Sequence, residues 1–390
     1  MTSNASLVEL TNQHLIANYG RLPVAMVRGQ GARVWDADGR EYIDFFPGFG
    51  AGGVSGHCHP AVTAAIKAQA DKLLCCGNLF TNQPQVELAQ AVTQHGFGGK
   101  VFFCHSGAEA NEAALKLVRL AAGEGRYKII SFNQCFHGRT MGALSLTPEK
   151  FQKGFEPMLP GSVKLDMGEL AAVEKAIDAE TAGIFIEPIQ GEGGVNVPQK
   201  AFMQGLRKLC DKHGLLLVCD EVWTAPARTA KWYGYQLHDI QPDVMTLGKA
   251  LGGGAPVAAC VAAPKWAGVL SPGKHGCTLG GNPLCAAAGV AVCRLIEQEN
   301  LLAKAKADGA KIVKAIADAR IAKVKQVRGA GMMLGIELDG PGKAVFDRCL
   351  QQGLLVNLTQ DTVLRLAPPL IIEQSLLEKG LEILIAAMRA

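Results

Sequence analysis

From about residue 97, short apolar runs alternate with longer segments whose apolar residues recur at helical spacing, the first over residues 108–122. Each run is continuous in its apolar character, which is typical of a strand with both faces buried. Strands separated by helices in this way predict an α/β fold with a mostly parallel central sheet covered by helices. The predicted strands span residues 101–104, 127–132, 183–187, 215–220, 243–247 and 257–261.

The two ends of the chain show other patterns. Residues 7–19 have helical spacing, and residues 32–45 are typical of a β-hairpin with an Asp-Gly turn. A long alanine-rich helix is predicted to begin around Pro283. The segments after it are strand-like at 324–338, 354–357 and 363–366 and helical from about 373, which indicates a smaller α+β domain.

These patterns predict three parts. They are an N-terminal segment (1–50), which packs with the small domain or crosses to a partner subunit, a large domain (51–282) and a small C-terminal domain (283–390). In open sheets of parallel strands, ligands bind outside the carboxyl ends of the strands. The functional site is therefore expected at that edge of the large domain.

Composition excludes several classes of partner. The chain has 390 residues and a formal net charge of +4 without blocks of like charge, so no nucleic-acid partner is expected. No apolar run reaches ~18 residues, so no membrane span is expected. The twelve cysteines form no CxxC pair, and with no signal-peptide pattern they favour free thiols in the cytoplasm. His57-Cys58-His59 is too crowded for a tetrahedral cage, so no metal site is expected.

A glycine loop at Gly48–Gly53 matches G-x-G-x-x-G and keeps a nicotinamide-dependent oxidoreductase as an alternative. The loop follows an antiparallel hairpin, however, and His57-Cys58-His59-Pro60 precedes the next helix. A dinucleotide fingerprint needs the first strand of a βαβ unit. We therefore interpret the segment as a flexible loop beside the site.

One lysine stands at the end of a predicted buried strand. Lys249 follows the apolar run 244–247 and precedes three consecutive glycines. Burial lowers an ammonium's pKa, and a neutral amine can attack a carbonyl to form a Schiff base. Taken alone, the segment favours the alternative of a lysine that snorkels from a strand end.

Two further strand ends carry polar groups. Ser106–Asn111 forms a small-residue turn that opens a helix, where exposed amide groups and the helix dipole favour a phosphate; the alternative is an ordinary cap by Ser106. Asp220 ends an apolar strand, so its carboxylate needs a partner. A protonated pyridine nitrogen would be one, and a structural salt bridge or a metal ion are the alternatives.

Two loops complete the candidate chemistry. Phe136 could stack on a planar ring, and Arg139 could bind a carboxylate with its guanidinium fork. Glu192 lies in a glycine loop beyond the strand 183–187. Together with Lys249 and Asp220, these groups indicate pyridoxal phosphate chemistry on an amino-acid substrate.

Several segments of the sequence resemble the motifs of one family. They are residues 27–29, 56–60, 106–112, 136–140, 187–194, 220–222, 243–254, 280–283 and 364–370. Over nearly the whole chain the sequence resembles the class III (subgroup II) aminotransferases of fold type I, most nearly the acetylornithine branch. The resemblance implies a homodimeric enzyme with pyridoxal 5'-phosphate as its cofactor.

The resemblance also implies roles for individual residues. Lys249 forms the Schiff base and moves the substrate proton, and Asp220 keeps the pyridine nitrogen protonated. The other cofactor contacts are Val222 and Phe136 on the ring, Ser106, Gly107 and Ala108 on the phosphate, and Thr278 on the phosphate of the neighbouring subunit. The implied substrate contacts are Arg139 and Arg365 for carboxylates, Glu192 as a mask over Arg365, and Asn78 at the entrance.

Three features depart from the family pattern. Trp223 replaces a glutamine that hydrogen-bonds the cofactor's phenolic oxygen, so that contact is lost or is rebuilt through the indole N–H. Alanines 225, 227 and 230 replace glycines, at ~1 kcal/mol or more wherever a positive φ is needed. Cys277 stands where a serine that contacts substrate is common.

The expected reaction is transamination of N-acetylornithine with 2-oxoglutarate, giving N-acetylglutamate 5-semialdehyde and glutamate in arginine biosynthesis. Ornithine, succinylornithine and 4-aminobutyrate are alternative donors. An aminomutase is disfavoured, because Glu192 with Arg365 suits a dicarboxylic co-substrate. A catalytically silent relative is the third class, along with the oxidoreductase.

Overall fold

The computed structural model describes residues 3–390. The chain begins with α1 (Asn4–His14), β1 (Met26–Gln30), β2 (Arg33–Asp36), β3 (Glu41–Asp44), α2 (Pro60–Ala70) and α3 (Gln83–Gln94). Strands β2 and β3 pair antiparallel, which confirms the hairpin. The helix predicted at 7–19 is wrong in its bounds: α1 starts earlier, capped by the Ser3 side chain, and Leu15 is already extended. No residue of α1 is buried, so its apolar spacing reflects no packed face.

The large domain contains a central sheet of seven strands. The strands are β4 (Lys100–Cys104), β5 (Lys128–Phe132), β6 (Ser162–Leu165), β7 (Thr181–Ile186), β8 (Leu216–Asp220), β9 (Val244–Leu247) and β10 (Ala258–Ala262), with helices α4 (Gly107–Ala122), α5 (Met141–Leu146), α6 (Leu170–Ala176) and α7 (Lys200–His213). Their order is β4-β10-β9-β8-β7-β5-β6. Strand β10 is antiparallel to both of its neighbours, and every other pair is parallel. The predicted mostly parallel α/β sheet is confirmed.

Both faces of the sheet are buried, as the continuous apolar runs predict. Along β8, Leu216 and Val218 pack in one core cluster with Leu117 and other residues of α4. Leu217 and Cys219 belong to the core on the opposite face, with residues of α7. Alternation of side chains along a strand explains this division. Asp220, the last residue of β8, therefore emerges between two helical layers.

The remaining chain contains the elements α8 (Pro283–Gln298), α9 (Leu301–Asp318), β11 (Val324–Ala330), β12 (Met333–Leu338), α10 (Lys343–Gln351), β13 (Leu354–Leu355), β14 (Asn357–Thr359), β15 (Val363–Leu366) and α11 (Gln374–Arg389). It forms a sheet of order β11-β12-β15-β14 with its helices, and adds β13 to the N-terminal sheet β1-β2-β3-β13. The segment predicted as one strand-like stretch at 324–338 is an antiparallel hairpin that turns at Gly331. The stretch at 354–357 is also divided, because β13 pairs with β3 whereas β14 pairs with β15.

Within residues 3–390, no helix is long and apolar enough to cross a membrane.

The segment after β8 links three parts of the fold through one buried arginine. Arg228 is 2% exposed. Its guanidinium donates to the carbonyl oxygens of Met332 at 3.1 Å, Pro368 at 2.7 Å and Gly53. The glycine loop and the C-terminal sheet are thereby held against the large domain. Burial lowers the pKa of Arg228 to about 9.

The alanines around Arg228 adopt the conformation that glycine favours. Ala227 has φ 66° and Ala230 has φ 63°, both left-handed, whereas Ala225 lies outside that region. The chain turns sharply here to pass Gly331, where a Cβ would lie 2.6 Å from the Ala230 nitrogen. Ala227 and Ala230 therefore occupy positions that need a positive φ, and Ala225 does not.

Replacing Ala230 by Gly is expected to stabilise the protein by about 1 kcal/mol, because it relieves a left-handed alanine. Ala225→Gly is the matched control in the same segment, and it is expected to destabilise by about 1 kcal/mol, since that backbone gains only freedom in the unfolded state. Scanning calorimetry measures both unfolding temperatures. A shift of the two variants in the same direction would contradict the strain argument.

Candidate active site

Lys249 lies just beyond β9, at the edge of the sheet where the predicted site was expected. Its backbone is left-handed, with φ 43°. Burial lowers the pKa of Lys249 to about 8, although the carboxylates of Asp220, Glu192 and Glu187 favour its charged form. The neutral amine that a nucleophilic lysine requires is therefore more populated near neutral pH than in an ordinary lysine.

Three segments approach one another closely beside Lys249. A Cβ on Gly248 would lie 3.3 Å both from the Gly107 nitrogen and from Val222 Cγ1. A Cβ on Gly107 would lie 2.6 Å from Val222 Cγ1. The end of β9, the start of α4 and the second residue after β8 thus meet at one point. The structure brings together Lys249, Asp220, Val222 and Gly107 as neighbours.

Asp220 is almost fully buried and accepts three hydrogen bonds. Its Oδ2 accepts from Asn111 Nδ2 and from His137 Nδ1, each at 2.8 Å, and its Oδ1 accepts from the Val222 amide at 3.0 Å. Asn111 in turn accepts from the Thr246 hydroxyl at 2.7 Å. These contacts hold the carboxylate in one orientation.

His137 is one of three residues of this network, with Asn111 and Thr246, whose roles were not predicted from the sequence. Burial favours its neutral form, but Cys135 and Asp220 beside it hold the pKa of His137 well above its usual range. A charged imidazolium beside Asp220 gives that carboxyl group a partner of opposite charge at 2.8 Å. Two features of the sequence could have pointed to the role of His137. It follows Phe136 directly in one family motif, and its partner Asn111 lies in another.

A second buried carboxylate shapes the same edge. Glu187 follows β7, and its oxygens accept from the Phe136 amide at 3.1 Å and the Gly191 amide at 3.3 Å. Burial raises the pKa of Glu187 to about 8, with His137 opposing the shift and Asp220 adding to it. Glu187 thus fixes the segment that carries Phe136 and the loop that leads to Glu192.

The first turn of α4 has the features of an anion site. Ser106 and Glu109 form a capping box, in which the Ser106 hydroxyl accepts from the Glu109 amide at 3.3 Å. The amides of Gly107 and Ala108 follow at once, in the first turn, where N–H groups have no acceptor within the helix. A side chain at Gly107 would collide with Val222, so only glycine fits at this close approach.

The two predicted substrate-binding arginines differ in burial and in their partners. Arg139 is exposed, and its guanidinium lies 4.5 Å from the Phe151 ring centroid and 5.5 Å from that of Phe136. Arg365, in β15, is 1% exposed and forms an ion pair with Glu192 at 3.0 Å. A cavity of about 330 Å³ has Phe151, Glu192 and Thr359 in its lining. The cavity therefore lies beside both arginines.

The Glu192–Arg365 pair is held from both sides. Arg365 Nε donates to Asn357 Oδ1 at 2.8 Å, and the guanidinium packs 5.0 Å from the Phe46 ring and 5.4 Å from the Trp223 ring. The Glu192 carbonyl oxygen accepts from Thr359 and Gln360. Glu192 itself keeps 31% of its side chain exposed, so it can move while Arg365 stays.

Trp223 occupies the space between these groups. Its ring packs 5.5 Å from Phe46, and Lys249 Nζ lies 5.6 Å from it. A Cβ on Gly50 would lie 3.6 Å from Lys249 Cδ, so the glycine loop does line the site. The indole N–H of Trp223 is buried and has no hydrogen-bond partner among residues 3–390. An unpaired buried donor of this kind favours an acceptor supplied by a ligand.

The other predicted residues lie at a separate place, beside the start of α4. Asn78 donates to the carbonyl oxygens of Cys277 and Gly280, each at 3.0 Å. Cys277 Sγ lies 3.4 Å from His105 Nδ1, and Thr278 is exposed. Asn78 therefore anchors the loop that carries Cys277 and Thr278. The role of this loop in a partner's site stays a prediction.

Comparison with known proteins identifies the family. The aminotransferase class-III family matches residues 16–388. The chain belongs to the class-III aminotransferases. The enzyme is 42% identical over 386 residues to the acetylornithine aminotransferase of Caldanaerobacter subterraneus subsp. tengcongensis, covering 97% of this chain and 98% of the relative. It is 45% identical to that of Methanopyrus kandleri, covering 98% of each.

Solved structures agree with the fold of this aminotransferase. The ornithine aminotransferase from Toxoplasma gondii superposes with a TM-score of 0.95 at 32% identity, covering 99% of this chain and 94% of that one. The acetylornithine aminotransferase from Elizabethkingia anophelis superposes with a TM-score of 0.88 at 32% identity, covering 100% and 99%. The first of these structures is described with PLP at its active site.

Proposed function

We propose that this aminotransferase binds pyridoxal 5'-phosphate and transfers the δ-amino group of N-acetylornithine to 2-oxoglutarate. The observation that carries the proposal is the pair of arginines, one open and one masked by Glu192, beside a lysine with a lowered pKa. Acetylornithine aminotransferases among the relatives support this donor. Relatives named ornithine aminotransferases, at 38% identity, keep ornithine as the second candidate.

The residues present fit the cofactor. Asp220 offers a buried, fixed carboxylate to a pyridine nitrogen, and the amides of Gly107 and Ala108 offer donors to a phosphate. Val222 and Phe136 would cover the ring. The unpaired indole N–H of Trp223 suits the phenolic oxygen that a glutamine contacts in the wider family. When bound, the cofactor supplies an electron sink for the carbon that carries the amino group.

The protein's own groups would then handle charge and protons. Asp220, paired with His137, would hold a protonated pyridine nitrogen, and this contact would strengthen the electron sink that the cofactor supplies. Lys249 Nζ would hold the cofactor and would act as the base that moves the proton of the amino-bearing carbon. Trp223, Phe46 and the glycine loop limit water around this amine.

The arginines explain how one pocket accepts two donors. Arg139 would bind the α-carboxylate of acetylornithine while Glu192 keeps Arg365 neutralised. Glutamate carries two carboxylates and needs both arginines. When Glu192 turns away, glutamate would bind with its α-carboxylate on Arg365 and its side-chain carboxylate on Arg139. The buried ion pair between Glu192 and Arg365 would break only when a carboxylate of the dicarboxylic substrate takes the place of Glu192.

Assembly and location belong to the same proposal. Thr278 lies on an exposed loop and would contact the cofactor phosphate of a second copy in a homodimer. All twelve cysteines are free, which favours a reducing compartment such as the cytoplasm.

The donor assignment is tested by steady-state kinetics with 2-oxoglutarate and each of N-acetylornithine, ornithine, succinylornithine and 4-aminobutyrate. We expect kcat/KM for acetylornithine to exceed that for 4-aminobutyrate ~10-fold or more, because 4-aminobutyrate lacks one methylene and the acylated amino group, and one methylene is worth about this factor. A higher kcat/KM for ornithine or 4-aminobutyrate would overturn the assignment and leave the transaminase intact.

The mask is tested by Glu192→Ala. The kcat/KM for glutamate relative to that for acetylornithine is expected to rise about 10-fold, because glutamate no longer has to displace a charge-assisted hydrogen bond. Asp178→Ala, which removes a surface pair with Lys128, is the matched control and should leave the ratio unchanged. An equal loss for both donors in Glu192→Ala would show that Glu192 does not act as a mask.

A further inference from the structure

Three potential metal ligands meet outside the catalytic group. His105 precedes the first turn of α4, Glu109 lies within that turn, and Cys277 belongs to the loop that Asn78 anchors. One ligand atom from each residue lies within 4.8 Å of the others. The proposed transamination assigns no role to His105 or Glu109, and Cys277 stands where the family resemblance implies a substrate contact. Glu109 and Cys277 are 168 residues apart in the chain.

The spacing of these atoms matches a small tetrahedral site. His105 Nδ1 lies 3.3 Å from Glu109 Oε1 and 3.4 Å from Cys277 Sγ. In a tetrahedral zinc site, with bonds of ~2.0–2.3 Å, neighbouring ligand atoms are ~3.3–3.6 Å apart. Two of the three edges already have this length. The third, between the carboxylate and the thiol, closes by side-chain rotation.

The helix cap leaves one oxygen of Glu109 for this purpose. Its Oε2 accepts from the amides of His105 and Ser106 and from the Ser106 hydroxyl, at 2.8–3.0 Å. Its Oε1 is within hydrogen-bond distance of His105 alone among residues 3–390. Oε1 can therefore coordinate an ion while Oε2 keeps the capping box. The His105 side chain is 32% exposed and that of Glu109 39%, so an ion can reach them.

We propose that His105 Nδ1, Glu109 Oε1 and Cys277 Sγ bind a divalent transition-metal ion of the zinc class, with a fourth position open to water. A nitrogen, an oxygen and a soft sulfur ligand suit this class better than Mg²⁺ or Ca²⁺, which prefer oxygen alone. Coordination deprotonates the thiol and releases a proton. The ion ties the loop of Cys277 and Thr278 to the first turn of α4. This proposal does not depend on the identity of the amino donor.

The test titrates the cofactor-saturated protein with Co²⁺ and records difference spectra against the same protein without metal. One equivalent is expected to give tetrahedral d–d bands and a thiolate-to-cobalt charge-transfer band. Zn²⁺ should then displace the cobalt and abolish both. Affinity for Zn²⁺ is measured in parallel by competition with a chromophoric chelator.

Two variants assign the ligands. Cys277→Ser is expected to lose the charge-transfer band and ~10-fold or more of the Zn²⁺ affinity, as does His105→Asn. Cys58→Ser is the matched control, because Cys58 is exposed and flanked by His57 and His59, the other place where such ligands cluster. It should change neither quantity. Absence of the band in the wild-type protein, its persistence in Cys277→Ser, or its loss in Cys58→Ser would each overturn the proposal.

Discussion

The buried carboxylate of Asp220 is the constraint on which the rest of the site depends. A charge in this position costs several kcal/mol unless it is paired and hydrogen-bonded. The structure satisfies it with an amide from α4, a charged imidazole from the segment after β5, and a backbone amide from the second residue after β8. Asn111 extends the network to Thr246 of β9. Four segments of the chain are therefore positioned by one buried carboxyl group, and Lys249 follows shortly after the last of them.

A second set of charges joins the large domain to the C-terminal sheet. Arg228 reaches from one to carbonyl oxygens of the other, and Arg365 reaches back to Glu192. Arg228 has only fixed carbonyl partners, which makes its link permanent. Arg365 has a partner that is partly exposed and charged, so its link can be exchanged for a substrate carboxylate. The same physical requirement, that a buried guanidinium needs acceptors, thus serves structure in one place and recognition in the other.

Much of the sheet could be predicted from the sequence, because continuous apolar runs have one explanation in an α/β fold. The residues at its edge, Lys249, Asp220 and Glu192, were recognisable because each polar group follows such a run. The roles of Asn111, His137 and Thr246 were not, since they depend on contacts between distant segments. The helix at the N-terminus was misplaced because it buries nothing. The His105, Glu109 and Cys277 cluster has no contiguous motif and could be found only in three dimensions.

The central claim is that the group around Lys249 and Asp220 holds pyridoxal phosphate. The most direct measurement is the visible absorption spectrum of the purified protein after addition of pyridoxal phosphate and removal of the excess. The account predicts a visible band from the lysine-bound cofactor, which N-acetylornithine bleaches in the absence of any keto acid and which Lys249→Ala lacks. Absence of the band in the wild-type protein, or an unchanged band in Lys249→Ala, would contradict it.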